Sequence, residues 1–215
     1  MTHREKGYFC ALAACLLAPP DGEMMEQVKQ GGIRSLLEKN IGECGGDLQL
    51  LAELSNERSS EGDLQVLQRE YVRLFANLPG PEISLVESTY KRWTGDSGCV
   101  LAFAGEKGLL MGDAALHMRE MFRQLSLEVP EEFRSTPDHL VLELEFLSLL
   151  YHSTTQEQVQ RFIKDHLDWI PDLRDRVDRA NPHPFYRNAI ELINLFLVHE
   201  RKEGKAKSHG PKDFH

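Results

Sequence analysis

"STPDHLVLELEFLSLLY", residues 135–151, passes from a polar, proline-bearing opening into an almost unbroken apolar run. From Leu140 onward Leu140, Leu144, Leu147 and Tyr151 recur on one stripe, with Phe146 and Leu150 beside it. That is the period of a helix, not the alternation of a strand. Ser135 stands three residues before Asp138 with Pro137 between them, the pattern of a helix start with a capping hydroxyl, a first-turn proline and an acid near the positive dipole end. Such a start explains Asp138. It explains His139 poorly, because a helix N-terminus disfavours an imidazolium. Two roles stay open for the pair: a helix start, or the polar lip of a site for a ligand with a cationic head and an apolar body.

The rest of the chain repeats the helical period. Residues 8–20 read as a first core helix, favoured over a signal peptide because Pro-Pro closes the run and helical patterning follows. Residues 23–42 read as helix, broken near Gly31-Gly32, and 47–60 as a short helix with a polar loop. In 61–77 Leu64, Leu67, Tyr71, Leu74 and Phe75 share a face, with Pro79 and Pro81 as the stop. Residues 80–100 read as loop and turn, 108–129 as helix and 130–137 as a linker. Two helices parted near Pro171 are expected in 154–180, and a last helix in 181–202. The expectation is an all-α, single globular multi-helix bundle of about 8–10 helices. It covers residues 1–203, with a possible sub-boundary near 130–137 and a disordered polar tail over 204–215. The proline-bearing linker would also let halves exchange, so a monomer or a domain-exchanged dimer is expected.

The formal net charge is −9 in 215 residues. Residues 201–215 hold Arg201, Lys202, Lys205, Lys207 and Lys212 against two acids, so the preceding body is more acidic still. Such a body argues against nucleic acid and favours a basic partner. No run approaches the length of a membrane span, so no stable membrane insertion is expected. The four cysteines, Cys10, Cys15, Cys44 and Cys99, form no C-x-x-C pair and fit a reduced, cytoplasmic setting.

Several chemistries can be weighed on residue types. His139 and Glu143 are four apart, as are Asp113 and His117, so either pair could touch one ion from a helix face. Neither makes H-E-x-x-H. A helical metal-dependent hydrolase using His139 and Glu143 is one alternative, and a non-catalytic helical scaffold another. Residues 98–108 lack the phosphate-loop pattern, and G-x-S-x-G is missing. Trp93, beside Lys91, Arg92 and Asp96, is expected to be partly exposed and able to touch a ligand. His166, in "KDHLDW" (164–169), reads as lying on a solvated helix face.

Four segments occur in a familiar order: "EYVRLFANLPGPEISLVESTY" (70–90), "TPDHLVLELEFLSLLY" (136–151), "FIKDHLDWIPDLRDRV" (162–177) and "HPFYRNAIELINLFL" (183–197). Together they resemble the TorD/DmsD/NarJ family of redox-enzyme maturation chaperones for molybdoenzymes. The resemblance rests on Tyr71-x-x-Leu74-Phe75, Glu87-Ser88-x-Tyr90 and Asp138-His139-Leu140, and covers most of 61–200. It implies an all-helical fold, a cytoplasmic location, no catalytic turnover and no cofactor of the chain's own. The partner it implies is an apo molybdopterin oxidoreductase catalytic subunit, or its twin-arginine leader peptide, held until the molybdopterin cofactor is inserted. The implied peptide-binding residues are Asp138 and His139, with Pro137, Glu87, Tyr90, Tyr71 and the more loosely matched Trp93. The family often carries Glu-Pro before its Asp-His, whereas Ser135-Thr136 precede Pro137 here.

Overall fold

A computed structural model describes residues 1–29, 31–52, 54, 61–76 and 83–208. Among these residues the chain is all-α, with nine α-helices and no strand. They are α1 (His3–Leu17), α2 (Gly22–Lys29), α3 (Gly31–Cys44), α4 (Glu61–Tyr71), α5 (Asp113–Gln124), α6 (Leu140–Ser153), α7 (Gln156–His166), α8 (Ile170–Ala180) and α9 (Pro184–Ser208). Short 3-10 turns lie at Leu48–Leu51, Glu87–Thr89 and Glu131–Phe133, and α4 runs into a π turn at Val72–Ala76.

Helix α6 is the axis of the bundle. Leu140, Val141, Leu142, Leu144, Phe146, Leu147, Leu150 and Tyr151 are all buried, so the helix is covered on most sides. A helix apolar nearly all round is stable only inside a core. α1 packs along it, bringing Gly7 so near that an added Cβ would meet the His152 ring. α9 closes the bundle against α1, α3, α7 and α8. One continuous hydrophobic cluster holds residues from Phe9 to Leu197, on both sides of 130–137. No helix among the described residues is long and apolar enough to cross a membrane.

Local chemistry sets most helix ends. Thr2 and Glu5 cap α1 reciprocally, and Thr155 and Gln158 do the same for α7. Asn181 ends α8 in the left-handed conformation that a short polar side chain tolerates. Pro171 lies in the first turn of α8, where its missing N–H costs little, so the break falls at 167–169 before it. Other boundaries depart from expectation. α6 begins at Leu140 with His139 as its cap, so Ser135 caps nothing and Asp138 stands outside the helix. α5 is shorter than 108–129: Met111 and Gly108 have positive φ before it, and Ser126 after it. α9 continues to Ser208, so 204–208 are helical, while 209–215 lie outside the described residues. So do Pro79 and Pro81.

A buried ion pair ties α1 to α9. Lys6 Nζ lies 2.5 Å from Glu200 and 3.1 Å from Glu203, and Tyr151 donates to Glu200 at 2.8 Å. Removing one partner leaves the other desolvated and uncompensated. Lys6→Ala is therefore expected to lower stability by about 3–5 kcal/mol, and replacing Lys6 and Glu200 together by methionine to recover most of it. Urea unfolding of the single and double variants measures both changes.

Candidate functional site

Residues 85–87 pair with the head of α6. Leu140 N–H donates to Leu85 O at 2.8 Å, and Glu87 N–H donates to Asp138 O at 3.0 Å, with Val86 bridged antiparallel to His139. This brings the turn Glu87–Thr89 over the start of the core helix. Asp138, with 0% exposure, turns inward. Its Oδ2 accepts Ser88 N–H at 2.7 Å and the Ser88 hydroxyl. Burial still raises its carboxyl above the usual range, and the Glu87 charge adds to that, although the Ser88 bonds offset part.

Glu87 is also fully buried, and its two oxygens face different partners. Oε1 lies 2.5 Å from Lys91 Nζ, which also reaches Asp168 at 2.6 Å. Oε2 lies 2.8 Å from His166 Nδ1. Burial alone would raise Glu87, but His166, the adjoining Glu143 and the Lys91 charge outweigh it and hold the carboxylate low. Glu143, on the inner face of α6, is pushed well up by burial first and then by the Glu87 charge. Of the two carboxyl groups it is the one that holds a proton more readily, and neither of its oxygens has a hydrogen-bond partner.

His166 carries this cluster to the surface. Its Nε2 lies 2.7 Å from His117 Nδ1, the two rings stack at 4.8 Å, and His117 is exposed. Burial, then the neighbouring His166, lowers the His117 imidazole. Both rings line a cleft of about 380 Å³ between α5, α6 and α7. Its walls are Met121, Leu125, Phe146, Leu150 and Phe162, and Arg161 and Asp165 also line it.

The structure thus separates the residues expected to act together. Glu87 and Asp138 are inside the cluster, with Pro137 buried beside them. His139 is half-buried as the cap of α6, its Nδ1 accepting Val141 N–H at 3.3 Å and its ring against Phe133 at 4.8 Å. A neutral imidazole can cap where an imidazolium could not, which removes the objection to histidine at this position. Tyr90 is core, donating to Ser84 O and packed between Trp169 and the Arg176 guanidinium. Tyr71 belongs to a second aromatic group with Phe75 and Tyr186. Trp93 sits at the N-terminal end of α5, its carbonyl accepting Asp113 N–H at 2.8 Å and its ring against Phe103. Gly112 is required there, since an added Cβ would lie 2.5 Å from Trp93 O. Asp113 accepts Thr94 and Gly95 and does not join His117. His139 does not join Glu143 either. The described residues that gather near Glu143 with metal-ligating atoms are Glu87 and His166.

Residues 40–180 match a family model described as the nitrate reductase delta subunit. The chain belongs to this TorD/NarJ family. It is 30% identical to the chaperone protein TorD of Shewanella piezotolerans over 95 residues, 44% of this chain and 43% of that protein. It is 28% identical to the TorD chaperone of Vibrio cholerae over 108 residues, 45% and 49% of the two chains. The chain spans about half the length of the curated relatives it matches. A structure from Archaeoglobus fulgidus, described as a candidate redox enzyme maturation protein, matches 93% of each chain with a TM-score of 0.53 at 22% identity. That likeness is one of fold.

In this TorD/NarJ chain, His166 was the residue whose setting the sequence concealed least well. It is 2% exposed, not solvated. Val159, Phe162, Ile163 and His166 fall at i, i+3, i+4 and i+7, which already placed His166 on the buried face of α7. The cleft walls carried a weaker signal, spread over three helices.

His139 gives a pH test. Burial lowers its imidazole from 6.5 to about 4. Folded protein therefore binds fewer protons than unfolded between those values, so this contribution is complete above pH 6.5 and is lost as pH falls toward 4. His139→Asn keeps a side-chain cap without a titrating ring. Between pH 7 and pH 4.5 wild type should lose about 2–3 kcal/mol relative to His139→Asn. Urea unfolding at both pH values reads the difference; a constant gap would show that the ring is not held neutral.

Proposed function

We propose that the chain is a non-catalytic cytoplasmic chaperone that holds an apo molybdoenzyme catalytic subunit by its leader or N-terminal segment while the molybdopterin cofactor is inserted. One observation carries this reading from family to site: an apolar cleft whose floor is a polar chain ending in His117. Met121, Leu125, Phe146, Leu150 and Phe162 can bury the apolar face of a helical segment, at about 25 cal/mol per Å² less the cost of ordering it. Asp165 supplies negative charge among the lining residues, and the net charge of −9 speeds encounter with a basic head.

In this role Asp138 is a frame residue and not the acceptor of an arginine fork. It fixes the turn 87–89 on α6, and through Glu87 and His166 the floor of the cleft. Pro137, His139 and Tyr90 support the same frame. Tyr71 and Trp93 stand apart from the cleft.

The test uses fluorescent peptides from the N-termini of molybdopterin oxidoreductase subunits, each with two arginines followed by an apolar helix. Leu125→Asp and Asp165→Lys change exposed positions and should leave the melting temperature near that of wild type. Each should weaken peptide binding about tenfold, an effect on the order of 1.4 kcal/mol. Anisotropy titrations with unchanged Kd in both variants would move the peptide off this cleft.

A further inference from the structure

The cluster of Glu87, Glu143 and His166 has more acid than its neighbours can satisfy. Three carboxyl groups, on Glu87, Asp138 and Glu143, have 0% exposure. Lys91 is the lysine that reaches them, and it engages Glu87 Oε1. Neither oxygen of Glu143 accepts a hydrogen bond, and neither does Asp138 Oδ1. One atom each of Glu87, Glu143 and His166 lie within 4.8 Å of one another, and Glu87 Oε2 and His166 Nδ1 are 2.8 Å apart. That spacing is close to the ~3 Å edge between adjacent ligands at ~2.1 Å from one ion.

We propose that Glu87, Glu143 and His166 form a buried site for one divalent transition-metal ion. The donor set is two carboxylate oxygens and one imidazole nitrogen, which suits Zn²⁺, Mn²⁺ or Fe²⁺ better than Mg²⁺ or Ca²⁺. The surroundings supply what such a ligand set needs. His166 Nε2 can donate to His117 Nδ1, which leaves Nδ1 free to bind the ion and fixes the ring. Lys91 orients Glu87 through its other oxygen. The ion replaces the proton on Glu143, so binding releases a proton, and the single proton of a neutral His166 ring sits on Nε2. Its two positive charges offset two of the three buried carboxylates, and Lys91, shared with Asp168, serves Glu87. Its place is structural: it joins the turn 87–89, α6 and α7 under the floor of the cleft.

Tag-free full-length protein is stripped with chelator, incubated with Zn²⁺ or Mn²⁺, desalted, and measured by elemental analysis and thermal unfolding. Wild type should retain about one equivalent and gain about 5 °C or more in Tm with the ion well above its Kd. Glu143→Gln preserves the shape of the neutral acid and should fold, with circular dichroism as the check. It should retain less than about a tenth of an equivalent and show no ion-dependent rise. His199→Gln, in the separate group of His199, Glu200 and Glu203, should behave as wild type. Retention by wild type below a tenth of an equivalent, or equal retention by Glu143→Gln, overturns the site.

Discussion

The cost of taking carboxyl groups out of water governs the head of α6. Asp138, Glu87 and Glu143 are all fully buried there. Each uncompensated ion would cost several kcal/mol, so each must find a donor, a cation or a proton. Asp138 finds Ser88, Glu87 finds Lys91 and His166, and Glu143 keeps its proton. These partners come from the loop before α5, from α6 and from the end of α7. Their mutual demands fix those three elements relative to one another more specifically than apolar packing would.

The cleft inherits its form from that arrangement. α6 supplies Phe146 and Leu150 from the same helix that presents Glu143 inward, and α7 supplies Phe162 one turn before His166. α5 is held at its start by the close passage of Gly112 over Trp93, and leans its half-exposed Met121 and Leu125 toward the opening. The polar network anchors His166 and His117 among the apolar walls of the cleft. For the proposed peptide, a site held in this way would lower the cost of ordering on binding.

Much of the fold could be read from periodicity. α1, α4, α6 and α7 follow their apolar spacing, and the break between α2 and α3 falls near the expected glycines. The helix ends were harder. His139 caps α6 only because burial keeps it neutral, and burial is not written in the local sequence. Residues 108–112 have helix-forming composition in part, but positive φ at Gly108 and Met111 diverts the chain before α5. The local sequence leaves Asp138 two roles, a helix start or the polar lip of a site. Its inward turn depends on Ser88, fifty residues away in sequence.

The sequence by itself determined that this is a bundle of amphipathic helices around one very apolar helix, and its ordered motifs identified the family. Those properties arise from short-range spacing and residue type. Tertiary structure alone decided which polar residues are buried together, and which helices leave a cleft. Glu87, Glu143, His166 and His117 lie on four separate elements, and nothing in the spacing of any one of them announces the others. Only the packing of those elements sets the desolvation, the proton positions and the contacts that follow.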